Sequence, residues 1–432
     1  MRAFFATTAF LLASLAPAVA AATPAAAPEK VSFARALELA KARNPNALVA
    51  AADIARADAL VRQARATSLP SLTAAATYTR LDGDRIVNGR VAQGEDSLNA
   101  NLNLVVPIVA PQRWSTWRRA EDSARVTRAN AASTIRDVTL AAGRAYLAVL
   151  LQKKVLRSAV EATTTARAHS EYAETRFKGG VGTRTDFVRS QQELAISESQ
   201  RSIATASVVR AEEALGVVLG VEHAVDVEDD VPLANLAHAA LVGDRPGGDR
   251  EDAPTRRSDV AAVRDQMLAA ERAYRDRWRE YMPLLSGTFQ PFYQNPPTLT
   301  QPLTGWQAQI LLAVPLYDGG ARYGVSDERQ AVMSQTRARF DGVVRQAKAD
   351  VRVAETLVRE SESALVDARR SADLAHEAAK LVRTAYEAGT STNLELVDAD
   401  RRARDADIQA AVAEDSLHQA SLELLAALGR FP

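Results

Sequence analysis

Arg176-Phe-Lys-Gly-Gly-Val-Gly-Thr-Arg-Thr-Asp186 returns later in the chain as Ala385-Tyr-Glu-Ala-Gly-Thr-Ser-Thr-Asn-Leu-Glu395. Gly180 pairs with Gly389 and Leu219-Gly220 with Leu428-Gly429, both 209 residues apart. Val106-Pro107 recurs 208 residues on as Val314-Pro315, and Leu69-Pro70 has a looser echo in Met282-Pro283. A period this long is no solenoid repeat. It describes a half-molecule made twice, each half supplying the same parts.

Working outward, each glycine turn closes a long stretch without helix breakers. Residues 113–178 hold one glycine, Gly143, and no proline; residues 325–388 hold only Gly342. As helices, each stretch spans roughly 100 Å, a length that indicates coiled coil. Ala347, Val351, Ala354, Val358, Ser361, Leu365, Ala368, Ala372, Ala375, Ala379, Val382 and Tyr386 alternate steps of four and three, which is a heptad seam. A second seam through Leu374, Ala378, Leu381 and Ala385 runs beside it. Two adjacent seams give a helix two neighbours, as in a curved wall of helices. Shorter helices follow the turns, near residues 183–219 and 390–428, so each half folds into an antiparallel hairpin. Thr185 and Thr392 suit N-cap or first-turn positions. Further helices open the halves near residues 32–66, interrupted by Pro45, and 258–281.

Between opening helix and long helix the period changes to two. Leu98, Ala100, Leu102, Leu104 and Val106 alternate with Ser97, Asn99, Asn101 and Asn103; Trp306, Ala308, Ile310, Leu312 and Val314 alternate with Gly305, Gln307 and Gln309. Leu72, Ala74, Ala76 and Tyr78 mark a partner strand, and residues 285–293 a weaker one interrupted by Pro291. These runs have the length of tilted transmembrane strands. Polar loops at 81–96 and 295–304 join each pair. Four strands alone would leave unpaired edges in hydrocarbon, so a membrane reading requires oligomerisation. A soluble strand domain carrying a coiled-coil hairpin fits the same alternation. Residues 221–256, rich in Asp, Gly and Pro, join the halves as an irregular belt or a loose linker.

Met1-Arg2, an apolar run from Ala3 to Ala16 and Ala18-Val-Ala20 read as a secretory signal peptide over residues 1–22. The repeats then occupy 23–220 and 257–432. The chain has no cysteine, which removes disulfides, thiol chemistry and a cysteine-linked lipid. Its net charge is zero, implying no bulk attraction to nucleic acid. Its five histidines show no metal-protease spacing, and no nucleophile elbow or phosphate loop is present, so neither an enzyme nor a cofactor is expected.

The order helix, two strands, long helix, glycine turn, helix, performed twice, resembles the TolC-like outer membrane efflux proteins. Val314-Pro-Leu-Tyr-Asp-Gly-Gly320 is similar to their turn from last strand to long helix, and Tyr386-Glu-Ala-Gly-Thr-Ser-Thr-Asn-Leu-Glu-Leu-Val-Asp398 to their second periplasmic hairpin. The resemblance covers nearly all of the mature chain. It implies a mainly α protein with a small β part, an exit duct of tripartite efflux or type I secretion. Long antiparallel coiled-coil helices would form an α-barrel, and four strands per chain would complete a 12-stranded barrel in a homotrimer. The implied setting is outer-membrane lipid with a periplasmic extension, a periplasmic adaptor (membrane fusion) protein, and an inner-membrane pump of RND, ABC or MFS type.

The resemblance also places residues. Glu395 and Asp398, on one helix face by their spacing, would ring the periplasmic aperture, and a solvated helix face fits the same spacing. Tyr386, Asp186 and Thr185 match positions that lock neighbouring hairpins closed. The arginine belonging to that lock is replaced by Ser391, and Arg184 lies on the other hairpin. The residues also fit a bland account, with Tyr386 in the seam and Asp186 beside the helix dipole. The tips Val181, Gly182, Thr183, Gly389 and Thr390 would meet the adaptor. A periplasmic coiled-coil adaptor or a cell-wall-associated coiled-coil interaction protein is the alternative. The adaptor would need one hairpin and lipoyl-like strands, whereas this chain has two hairpins.

Overall fold

The computed structural model describes residues 29–87, 90–229, 231, 233, 257–298 and 301–431. The signal-peptide expectation and most of the linker between the halves lie outside the described residues. The first half runs β1 (Glu29–Val31), α1 (Phe33–Arg43), α2 (Pro45–Ala66), β2 (Ser71–Arg80), β3 (Arg85–Val87), β4 (Arg90–Gln93), β5 (Asp96–Val109), α3 (Pro111–Lys178), α4 (Arg184–Leu219) and β6 (Val225–Val227). The second runs α5 (Ser258–Arg275), a 3-10 turn (Asp276–Tyr281), β7 (Leu284–Asn295), β8 (Thr304–Ala313), α6 (Ala321–Glu387) and α7 (Asn393–Ala427).

Helices α3 and α6, of 68 and 67 residues, each run about 100 Å from the sheet to a glycine turn. Helices α4 and α7, of 36 and 35 residues, return only about half that distance. The remaining half is covered by α2 and α5, which pack along the sheet-proximal parts of the long helices. Four helices therefore stand side by side along the shaft.

The heptad seam of α6 is buried at Ala347, Val351, Ala354, Val358, Leu365, Ala372, Ala379 and Tyr386. Ser361, Ala368, Ala375 and Val382 are partly covered. The second seam is bare in a single chain: Leu374 is 58% and Leu381 65% exposed. Leu48, Val49 and Leu60 on α2 are likewise exposed.

Strands β2-β5-β7-β8 form one antiparallel sheet in that order. Its register puts Leu72, Leu104, Phe289 and Ala308 across from one another, and Ala100, Tyr293, Trp306 and Tyr78 further along the same face. The opposite face carries Thr73, Asn99, Asn101, Asn103, Thr288, Gln290, Gln307 and Gln309, where Gln307 Nε2 donates a hydrogen bond to Gln290 Oε1 at 2.6 Å. Pro291 does not interrupt β7. It pairs only with Trp306 on β8 and falls in a gap of the β5–β7 ladder between Phe289 and Phe292, where its missing N–H costs no ladder bond. The loop expected at 81–96 contains the β3–β4 hairpin.

Halfway along the shaft lies the densest core: Phe33, Tyr146, Leu147, Leu150, Leu215, Leu219, Leu422, Leu424 and Val225 are all buried. Strand β6 pairs in parallel with β1 here, so the start of the linker is ordered structure rather than irregular belt. Three-residue strands are too short to leave a periodic pattern. The buried Tyr146 hydroxyl sits 2.9 Å from the Glu228 carbonyl and accepts from the Glu228 N–H at 3.0 Å. Each fully buried leucine is worth about 1.5–3 kcal/mol, far more than each alanine of the seams.

Candidate functional site at the hairpin tips

Both glycine turns are built alike. Gly180 and Gly389 adopt φ of 76° and 78°, a left-handed conformation that side chains resist. The Val181 N–H then reaches the Arg176 carbonyl at 3.0 Å, and the Thr390 N–H reaches that of Ala385 at 2.9 Å. Threonine opens each returning helix. Thr183 accepts from the Asp186 N–H at 3.1 Å and donates to its carboxylate at 2.7 Å. Thr392 accepts from the Glu395 N–H at 3.3 Å while its own N–H donates to the Glu395 carboxylate at 2.9 Å. Thr185 is therefore a first-turn residue, and Thr183 is the cap. Val181, Thr183, Gly389 and Thr390 are exposed and Gly182 is half-buried.

Glu395 also accepts from the Ser391 hydroxyl at 2.5 Å. That bond, with the Thr392 N–H, holds its carboxyl below the usual range. A depressed folded-state pKa gives stability that is present above the unfolded value near 4.5 and lost as pH falls through the folded one. Hydrogen exchange at residues 390–396 should thus speed up below pH ~4.5, beyond the intrinsic pH dependence. Unchanged protection there would mean the cap does not depend on that charge. Asp398 is exposed on the same helix and pairs with Arg402 at 2.8 Å.

Tyr386 is buried, and its ring is the centre of a cross-hairpin cluster. His169 and Tyr172 of α3 meet it edge-on at 5.5 and 6.0 Å. Arg176 lies 5.6 Å over its face. Burial pushes the Tyr386 hydroxyl pKa up. Within one chain no hydrogen bond joins Tyr386 to Asp186 or Thr185. The cation against Tyr386 is Arg176, which nothing in the sequence singles out.

Asn393 ties the hairpins together. Its Nδ2 donates to the Asp186 carbonyl at 2.9 Å. Its Oδ1, which can only accept, lies 2.6 Å from His169 Nε2, so that ring nitrogen carries the hydrogen. One level further up, Arg401 bonds Glu193, which is 9% exposed. Arg404 adds a contact to Glu193 at 3.9 Å and to Gln200 at 2.9 Å. Asp400 pairs with Arg383 at 2.9 Å, yet burial raises its pKa. The arrangement is one of ion pairs and ring contacts across the seam between the two hairpins. Among the described residues no cluster of His, Cys, Asp or Glu could hold a metal ion.

The family model for outer membrane efflux proteins matches residues 36–221 and 251–430. The chain belongs to that family. It is 23% identical over 404 residues to the outer membrane protein TolC of Vibrio cholerae, covering 90% of this chain and 89% of that one. Its fold matches the solved CusC structure with a TM-score of 0.80 at 14% identity, covering 92% of this chain and 91% of that one. The CmeC outer membrane channel of Campylobacter jejuni matches at 0.77 and 14% identity, covering 92% and 86%. The efflux protein is thus an outer-membrane duct with a periplasmic extension, and the adaptor and cell-wall alternatives are not favoured. Family members are channels rather than enzymes.

Proposed function

We propose that the efflux protein is a homotrimeric exit duct, gated at the hairpin tips. A periplasmic adaptor, docking at Val181, Gly182, Thr183, Gly389 and Thr390, would link it to an inner-membrane pump of RND, ABC or MFS type. Residues 1–22 are removed on export, no lipid is attached, and the mature chain comprises repeats 23–220 and 257–432 joined by 221–256. One observation supports the trimer above all: among the described residues both flanks of the protomer are open at the sheet and along the helices that continue it. Edge strands β2 and β8 have no outer partners among the described residues, and below them α2 and α6 present bare apolar side chains. Joining β2 of one copy to β8 of the next satisfies both strand edges. Four strands from each of three copies make a barrel wide enough for a lumen.

At the opposite end the tips converge. Tyr386, Asp186 and Thr185 brace adjoining hairpins, with Arg176 in place of the arginine replaced by Ser391. Glu395 and Asp398 then crowd acidic charge on the axis, where a bound multivalent cation relieves their repulsion. Purified in detergent, the protein should sediment as three chains and conduct ions in a planar bilayer. Trivalent cations added at the periplasmic side should block it. Glu395→Gln with Asp398→Asn keeps a cap acceptor and removes both charges. It should weaken the block by roughly tenfold or more, about 1.4 kcal/mol. Full sensitivity in that variant would remove both residues from the aperture.

A further inference from the structure

The chain is neutral overall and only 5% aromatic, but its charge and rings are unevenly placed. Residues 65–69, 111–119, 274–281 and 317–323 together hold eight arginines, three carboxylates, no lysine, and seven tryptophans or tyrosines. These four segments are the crossings between helix and sheet: α2 to β2, β5 to α3, α5 to β7, and β8 to α6. They meet at one end of the sheet.

The contacts there are distinctive. Arg277 lies 3.9 Å over Tyr274, Arg322 4.8 Å over Tyr281, Arg65 5.4 Å over Trp117 and Arg279 5.6 Å over Trp278. Each carboxylate is already taken: Asp276 by Arg279 at 3.4 Å, Asp318 by Arg322 at 2.8 Å, and Glu280 by Arg119 and Arg329. Arg65, Arg118 and Arg275 are exposed and have no carboxylate partner among the described residues. The opposite end of the sheet is compensated. Arg80 pairs with Glu95 at 2.9 Å and Arg85 with Asp82 at 2.7 Å. There Tyr78, Tyr293 and Trp306 lie on the apolar face. Ten-residue β2, tilted as in a barrel, sets the two aromatic levels about 25 Å apart, the height of an outer-membrane apolar band.

We propose that this helix–sheet junction is a docking surface for anionic phospholipid headgroups of the periplasmic leaflet. The inference rests on the reading that the sheet spans the outer membrane. Indole and phenol rings settle at headgroup depth, and the guanidinium fork matches a phosphate diester. Among the described side chains the unpaired arginines named here lie at the helical end, which selects the periplasmic leaflet over the outer one.

The test uses the assembled protein in vesicles. A Trp306→Phe background leaves Trp114, Trp117 and Trp278 to report the junction. Quenching by chain-brominated phosphatidylglycerol is compared with quenching by brominated phosphatidylcholine. The expected result is a preference of about fivefold or more for phosphatidylglycerol. The preference should vanish in R65Q/R118Q/R275Q and survive in R65K/R118K/R275K. Equal quenching by both lipids, or a preference unchanged in the glutamine variant, overturns the headgroup site while leaving the membrane reading intact. No quenching by either lipid removes the membrane reading itself, and this inference with it.

Discussion

Arg176→Ala combined with Tyr386→Ala should shift the proposed gate strongly towards its open form. The ring of Tyr386 touches His169, Tyr172 and Arg176 at once. Ring pairs are worth about 0.5–1.5 kcal/mol each and a cation over a ring about 0.5–2 kcal/mol. Losing even ~1.5 kcal/mol per copy, in three copies, shifts the closed–open equilibrium by roughly a thousandfold. Single-channel recording at neutral pH should therefore show a large rise in open probability or conductance. Tyr386→Phe keeps the ring and should do much less. A hydroxyl-only lock predicts equal effects from Phe and Ala, so matching traces from the two would displace the ring from the mechanism.

Val181→Asp should abolish export while leaving trimer and membrane insertion intact. Val181 is 74% exposed, so the change costs the free protein little. Burying an unpaired carboxylate against a docked partner costs several kcal/mol, enough to reduce affinity roughly a thousandfold. This site is cleaner than Gly182, where a Cβ would lie 3.1 Å from the Arg176 backbone and distort the turn. Drug or metal susceptibility of a deletion strain carrying the variant is the readout. Wild-type resistance with Val181→Asp would place the adaptor elsewhere.

The long helices were legible because a 3.5-residue period sustained over ~60 residues fits little besides a coiled coil. Eight of the twelve named seam positions in α6 are buried. Strand β5 was legible because Asn99, Asn101 and Asn103 alternate with apolar residues, and β8 because Gln307 and Gln309 do the same; β7, with Pro291 in its middle, left a weaker pattern. The cross-hairpin contacts were not, since they depend on how two separate hairpins align in height. A signal was nonetheless present. Asn393 meets Asp186, Arg401 meets Glu193 and Arg404 meets Gln200 at separations of 207, 208 and 204 residues. These lie close to the repeat period, because equivalent hairpins packed side by side bring equivalent residues to one level. Arg176 had no such marker. Its repeat counterpart is Ala385, and only the fold shows that it supplies the cation beside Tyr386. The reverse surprise is Glu395. It occupies the position of Asp186 in the other repeat, and both close a threonine cap.

The core around Tyr146 lies midway along the shaft, and α4, which starts at the tip, takes 36 residues to reach it, about 54 Å. With the gate proposed at the tips, the chain would act as a lever with its fulcrum in the leucine cluster and its long arm built from thin alanine seams. A tilt of only about 6° at the fulcrum carries a tip through roughly 5–6 Å, one helical turn. Opening at the proposed gate would then need no unfolding and little repacking near Tyr146. A small strain at the stiff centre becomes a wide displacement where the hairpins end.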